Sequence, residues 1–359
     1  MKKIVGTIAA IALAASSAFA GVNVGMGFNR GFFVPFAYDG TDAKAGISTS
    51  WGAEPRVGVS FSAASEQVGV VADVKFDGGN VAVNDNAYIW VKPTSWFKMN
   101  IGQSFDDTLR GNACFGSWDW LRPGNILGED LIFTRVCANP LGGAYAPLQG
   151  AILMLDPIEG LHISVGLPTG YGIAANWEDL VAKTQVQAGY TIADVAQIKA
   201  QWIGAGKNVD DEIEGQIEVA ASVKAIEGMT LDVGAKFRTA EDQPIDVAVF
   251  WGMPVAGLAL NANALVTIPT ADDADMSLAI GAGVGYDLGN GMGVGADVRY
   301  SQKFDDVSDP AIAFAAWFDK GIANGTLGVA VQGATKTGIR DIASSDFSFA
   351  VPVRVQCFF

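Results

Sequence analysis

The feature that most constrains this chain is a two-residue alternation of apolar and polar side chains, sustained over segments of about ten residues. From Met292 to Ser301, Met292, Val294, Ala296, Val298 and Tyr300 share one face, and Gly293, Gly295, Asp297, Arg299 and Ser301 share the other. The same phase recurs in Ile217, Val219, Ala221 and Val223, and in Leu231, Val233, Ala235 and Phe237; it returns in Val186, Ala188 and Tyr190, and in Ile198, Ala200 and Trp202. Such segments are strands with one apolar and one polar face. Beyond residue 20 no apolar run reaches the roughly 18 residues a spanning helix requires. Half the residues are hydrophobic and only 17% are charged, which excludes intrinsic disorder. Glycine, at 44 of 359 residues, weakens helices more than it weakens a closed sheet.

The first twenty residues read as a cleaved signal peptide. Lys2 and Lys3 form a basic start, Ile4 to Ala14 an apolar stretch too short to span, and Ala18-Phe19-Ala20 a small-x-small cleavage pattern. Without Lys2 and Lys3 the chain keeps 21 basic against 38 acidic residues, a net charge of -17. The expectation is an exported, acidic chain forming one domain over residues 21–359, with no linker and no internal repeat longer than a hairpin.

Alternation alone also fits a soluble sandwich, but the connections favour a membrane barrel. Short turns such as Ile226-Glu227-Gly228 and Gly289-Asn290-Gly291 alternate with longer loops such as Phe304 to Pro310 and Lys336 to Ser345. Trp90, Trp96, Phe97, Trp251, Trp317 and Phe318 cluster near segment ends, where interfacial girdles sit. The pattern predicts an all-β, transmembrane, antiparallel up-and-down barrel of about eighteen strands. Sixteen is the alternative, because the first 80 residues pattern weakly and Ala45 to Trp51 reads either as strand or as loop.

The run Asn86 to Gln103 carries a down-strand, a turn at Pro93-Thr94-Ser95, and an up-strand ending in Gly102-Gln103. It is followed by 46 residues, Ser104 to Gln149, with little alternation, a length that calls for a function. The last segment places Val351, Val353, Val355 and Phe359 on one face. These features resemble the general bacterial outer-membrane porin family. The resemblance implies a cell outer-membrane location, a third loop (104–149) folded inward to narrow the pore, and a terminal Phe359 read by the barrel assembly machinery. It implies outer-membrane lipids as surroundings and a possible homotrimer. Cys357 departs from the usual terminal pattern. Cys114 and Cys137 both lie in the long loop of an exported chain, which predicts a disulfide between them.

Enzyme chemistry finds no constellation. His162 is the single histidine, no Gly-x-Ser-x-Gly elbow occurs, and Gly281 to Gly285 lacks nucleotide-loop spacing. No metal, cofactor or nucleic-acid partner is expected, and the acidic runs at Asp272 to Asp275 and Asp305 to Asp309 read as solvated loops. The expected function is passive diffusion of small hydrophilic solutes and ions. Lys199, Glu218, Lys224, Asp232, Lys236, Arg238, Asp297, Arg299 and Arg354 would line the lumen, and Asp106, Asp107, Asp119, Glu129 and Asp130 would face Arg110, Arg122 and Arg135 at the constriction. Five acids against three bases predict a mild cation preference. The alternatives are a non-conducting adhesin or surface barrel, and a substrate-specific diffusion channel.

Overall fold

A computed structural model describes residues 22–26, 29–48, 57–77, 80–109, 147–173, 176–223, 225–337 and 345–357. Its strands are β1 (Val22–Met26), β2 (Asn29–Tyr38), β3 (Ala43–Ser48), β4 (Val57–Ala64), β5 (Val68–Asp77), β6 (Asn80–Thr94), β7 (Phe97–Ser104), β8 (Leu148–Ile158), β9 (Leu161–Leu167) and β10 (Gln185–Ile192). They continue with β11 (Ala196–Lys207), β12 (Ile213–Val223), β13 (Thr230–Arg238), β14 (Ile245–Val255), β15 (Leu258–Ile268), β16 (Ser277–Gly289), β17 (Met292–Lys303), β18 (Ala311–Ile322), β19 (Gly325–Ala334) and β20 (Ser348–Cys357). One short helix, α1 (Trp177–Lys183), lies between β9 and β10.

From β4 to β20 each strand pairs antiparallel with the next in sequence. The ends of this meander meet at the start of the chain. β1 pairs with β4, while β2, only two residues further on, pairs with β3 on one edge and with β20 on the other. The twenty strands among the described residues are roughly consistent with the eighteen that the sequence predicts, and β2 and β3 are additions to that reading. The stretch Ala45 to Trp51, ambiguous in sequence, begins as strand β3.

The turns explain the direction of the meander. Asn290 and Gly291 both take positive φ (53° and 69°) between β16 and β17, the backbone of the tightest hairpin turn and one that Asn-Gly adopts readily. Ala256 and Gly257 do the same between β14 and β15. On the opposite rim the connections are longer. α1 belongs to one of them, capped by the Asn176 side chain accepting from the Glu178 N–H; its seven residues, about two turns, are too few to leave a helical period in the sequence.

The predicted phase holds along the wall. On β17, Val298 is 49% exposed while its neighbour Arg299 is 0% exposed. Ile198, Val219, Val233, Val247, Ile280, Phe314 and Val329 likewise face outward as a broad apolar surface, and Lys199, Glu218, Asp232, Lys236 and Asp297 face inward. So large an apolar exterior is stable only against lipid or another apolar surface. Trp251 and Phe318 keep the outward phase of a girdle. Trp90 and Trp317 do not: they share the inner face with their register partners Gly69 and Gly295, and a Cβ on either glycine would fall within about 2.5 Å of the indole. Position at a strand end identified them as aromatic anchors, but strand phase turns them inward.

Replacing Val298 with Arg puts a charge on the outer face in mid-strand and is expected to cost roughly 2–4 kcal/mol in unfolding from lipid vesicles. An unchanged denaturant midpoint would show that this face does not meet hydrocarbon.

Candidate functional site

The inner wall is a polar sheet in which cross-strand neighbours alternate in character. One ladder row runs Ser164, Gln187, Gln201, Glu218, Lys236, Asp246, Thr267 across β9 to β15. Three groups converge on the Asp246 carboxylate: Lys236 Nζ lies 3.2 Å away, Arg238 Nη2 donates at 2.9 Å, and Thr267 Oγ1 donates to its other oxygen at 2.9 Å. Glu218 accepts from Gln216 Nε2 at 2.9 Å. Opposite charges directly across a strand pair stabilise each other, and burial raises the cost of separating them.

Wall glycines act as windows through which longer side chains reach. Gly328 stands between Asp319 and Arg354, so the guanidinium spans it and donates to the carboxylate at 2.5 Å. Gly283 stands between Asn261 and Asp297, and a Cβ there would lie 1.9 Å from the Asp297 carboxylate oxygen. Gly189 stands between His162 and Lys199, and its missing side chain is replaced by the methyls of Leu109.

Leu109 comes from the chain that leaves β7. At the base of that chain Gly102 and Gly150 pair with each other, at φ +128° and +154°, and neither has room for a Cβ against the neighbouring carbonyls. Beyond Ser104 the chain turns to the inside: Asp106 is 3% and Leu109 1% exposed, while Asp107 is exposed. Asp106 Oδ1 accepts from the Thr108 N–H at 3.0 Å and from its hydroxyl at 2.6 Å, and Asp106 Oδ2 lies 2.7 Å from His162 Nε2. The other ring nitrogen of His162, Nδ1, lies 2.7 Å from Asp156 Oδ1. Burial works to raise the Asp106 pKa, but the His162 contact, the histidine's charge and the Thr108 hydroxyl outweigh it and hold the group at about 2.

Lys199, Glu218, Asp232, Lys236, Asp297, Arg299 and Arg354 all lie buried on the inner wall, and Arg238 lies half-buried beside Asp246. Of the eight charged loop residues expected at a constriction, Asp106 and Asp107 are described. Arg110, Asp119, Arg122, Glu129, Asp130 and Arg135 lie outside the described residues, as do Lys224, Phe359 and the Cys114–Cys137 pair. Cys357 is a free cysteine. Asp156, Asp246 and Asp319 escaped sequence reasoning although strand phase could have placed the latter two. The contact of His162 was not legible in the sequence, because Asp106 lies 56 positions away.

No protein-family model matches the chain, and no curated protein sequence does. Solved structures match along nearly its whole length. OpdL of Pseudomonas aeruginosa superposes with a TM-score of 0.59 at 9% identity, over 95% of this chain and 99% of that one. The anion-selective porin from Comamonas acidovorans gives 0.51 at 8%, over 94% and 99%, and a multiply substituted Rh. blastica porin gives 0.51 at 12%, over 94% and 100%. At such identities the likeness is one of fold: this chain has the fold of the bacterial porin barrels.

The low pKa of Asp106 has a measurable consequence. Its contribution to stability is complete above the ordinary value of 3.8 and is lost as pH falls through about 2. Between those values the melting temperature should fall more steeply for the native protein than for Asp106→Asn; parallel curves would remove the carboxylate from the account.

Proposed function

We propose that this chain is an outer-membrane porin through which small hydrophilic solutes and ions diffuse passively. The observation that carries the reading is the division of one wall into two surfaces, apolar outside and charged inside, around a ring into which the chain after β7 folds. A protein that served only as a surface scaffold would have no need of buried charge on its inner wall. The fold shared with porin barrels supports the reading, as does the export signal. The membrane is the cell outer membrane, and the assembly partners are its lipids, the barrel assembly machinery that reads Phe359, and, in a homotrimer, two further copies. The remaining loop charges, from Arg110 to Arg135, complete the constriction, with Cys114 and Cys137 bridged to hold its shape.

Planar-bilayer recording tests this directly. Discrete, ohmic conductance steps are expected; a folded barrel that passes no current favours the adhesin reading.

A mild cation preference belongs to the same proposal, and its source is the rim. From β11 to β20 the inner wall carries Lys199, Lys236, Arg238, Arg299 and Arg354 against Glu218, Asp232, Asp246, Asp297 and Asp319, an even balance. The long loops between the same strands differ. Residues 208–212, 239–244, 269–276, 304–310 and, among the described residues, 335–347 carry twelve acids (Asp210, Asp211, Glu212, Glu241, Asp242, Asp272, Asp273, Asp275, Asp305, Asp306, Asp309 and Asp346) against one base, Lys336. Lys336 is itself engaged, at 2.7 Å from Asp346 and 3.1 Å from Asp309, and at the strand ends Lys207 pairs with Asp211 and Lys303 with Asp275 and Asp305, so the twelve acids of this rim meet three bases. Charge at a mouth acts over a Debye length, about 10 Å at 0.1 M salt and about 3 Å at 1 M. Reversal potentials in KCl gradients should therefore show cation preference at low ionic strength that fades toward 1 M. Anion preference at low salt would refute the rim argument.

A further inference from the structure

The geometry points to His162 as a doubly protonated latch that ties the inward chain segment to the barrel wall, so that the pore's narrowing depends on pH. The inference rests on the pore reading. Each imidazole nitrogen sits 2.7 Å from a carboxylate oxygen, Nε2 against Asp106 of the inward segment and Nδ1 against Asp156 of β8. A neutral imidazole has one N–H and one lone pair, and a carboxylate only accepts. Both contacts are hydrogen bonds only if both nitrogens carry protons. The ring then bears a positive charge between two negative ones, the strong, charge-assisted form of the bond.

The surroundings reinforce this reading. His162 is 5% and Asp106 3% exposed, so the contact is shielded from competing water, whereas the Asp156 side chain opens to solvent at 57%. The second oxygen of Asp106 is occupied by Thr108, and Leu109 fills the space over Gly189, the register partner of His162. The other charged groups near the ring are Lys98 on β7, Lys199 on β11 beyond Gly189, Asp107 on the segment itself, and Glu159 in the turn before β9. Within the immediate contact the balance is two acids to one imidazolium. When pH rises and the ring loses a proton, one nitrogen lone pair faces a carboxylate lone pair. One attraction becomes a repulsion, and the segment's anchor to the wall is reduced from a charge-assisted pair to at most one neutral N–H donor. On the acid side the latch persists until Asp106 takes a proton, near pH 2.

His162 is the single histidine of the chain, so its ring can be observed without assignment. Nitrogen-15 spectra of histidine-labelled protein in detergent at pH 7 should show both ring nitrogens protonated, with one transition to a neutral ring at higher pH. A neutral tautomer at pH 7 would overturn the latch. In planar bilayers the native channel should change conductance across the pH of that transition, while His162→Gln should lack the change and hold the high-pH level throughout. A pH step that survives in His162→Gln, or an absent step in the native channel, would also overturn it. Absence of current at every pH would instead sink the pore reading, and the spectra would still decide the protonation of the ring.

Discussion

Everything in this molecule depends on satisfying backbone hydrogen bonds along a wall whose outer face is apolar. An unpaired N–H or C=O in hydrocarbon costs several kcal/mol, so a sheet can live there only without free edges. The chain meets this demand by giving β2 a partner on each edge, β3 and β20, while β1 pairs with β4. Phase follows from pairing. Where a strand is paired on both edges, alternate side chains have only two destinations, and a shift of one residue would put Arg299 in lipid and Val298 in the bore.

The interior charges are then a problem of burial as much as of transport. Removing ions from water is expensive unless partners replace the solvent. The wall supplies them by register: Lys236 and Asp246 face each other directly, and Arg354 reaches Asp319 across Gly328. Glycine's abundance has a specific cause here. Where the inner wall lacks a Cβ, a neighbour lies flat against the sheet, as Asp297 does over Gly283 and Leu109 does over Gly189.

Strand phase and hairpin turns were legible in the sequence because they are local properties, and the strand count came out roughly right. The inward phase of Lys199, Glu218, Asp232, Lys236, Asp297, Arg299 and Arg354 was legible for the same reason. What sequence reading missed depends on contacts between distant positions. Trp90 and Trp317 were placed by proximity to strand ends, but their phase and their glycine partners turn them inward. The role of His162 could not be read from β9 alone, since Asp106 arrives from a different part of the chain. α1 was missed because seven residues hold too little pattern to separate a helix from a loop.

The seam between β2 and β20 also fixes an order of events. Asn29 finds its partner at Cys357, so the earliest and latest parts of the wall meet across almost the entire chain. Hairpins from β4 onward can form between sequence neighbours, but that one junction carries the largest loop-closure entropy and cannot exist until the final strand has been made. Until then the growing sheet holds two open edges. The seam is thus the natural last step of assembly, and a stalled chain lacking β20 would keep those edges exposed however well the rest were paired.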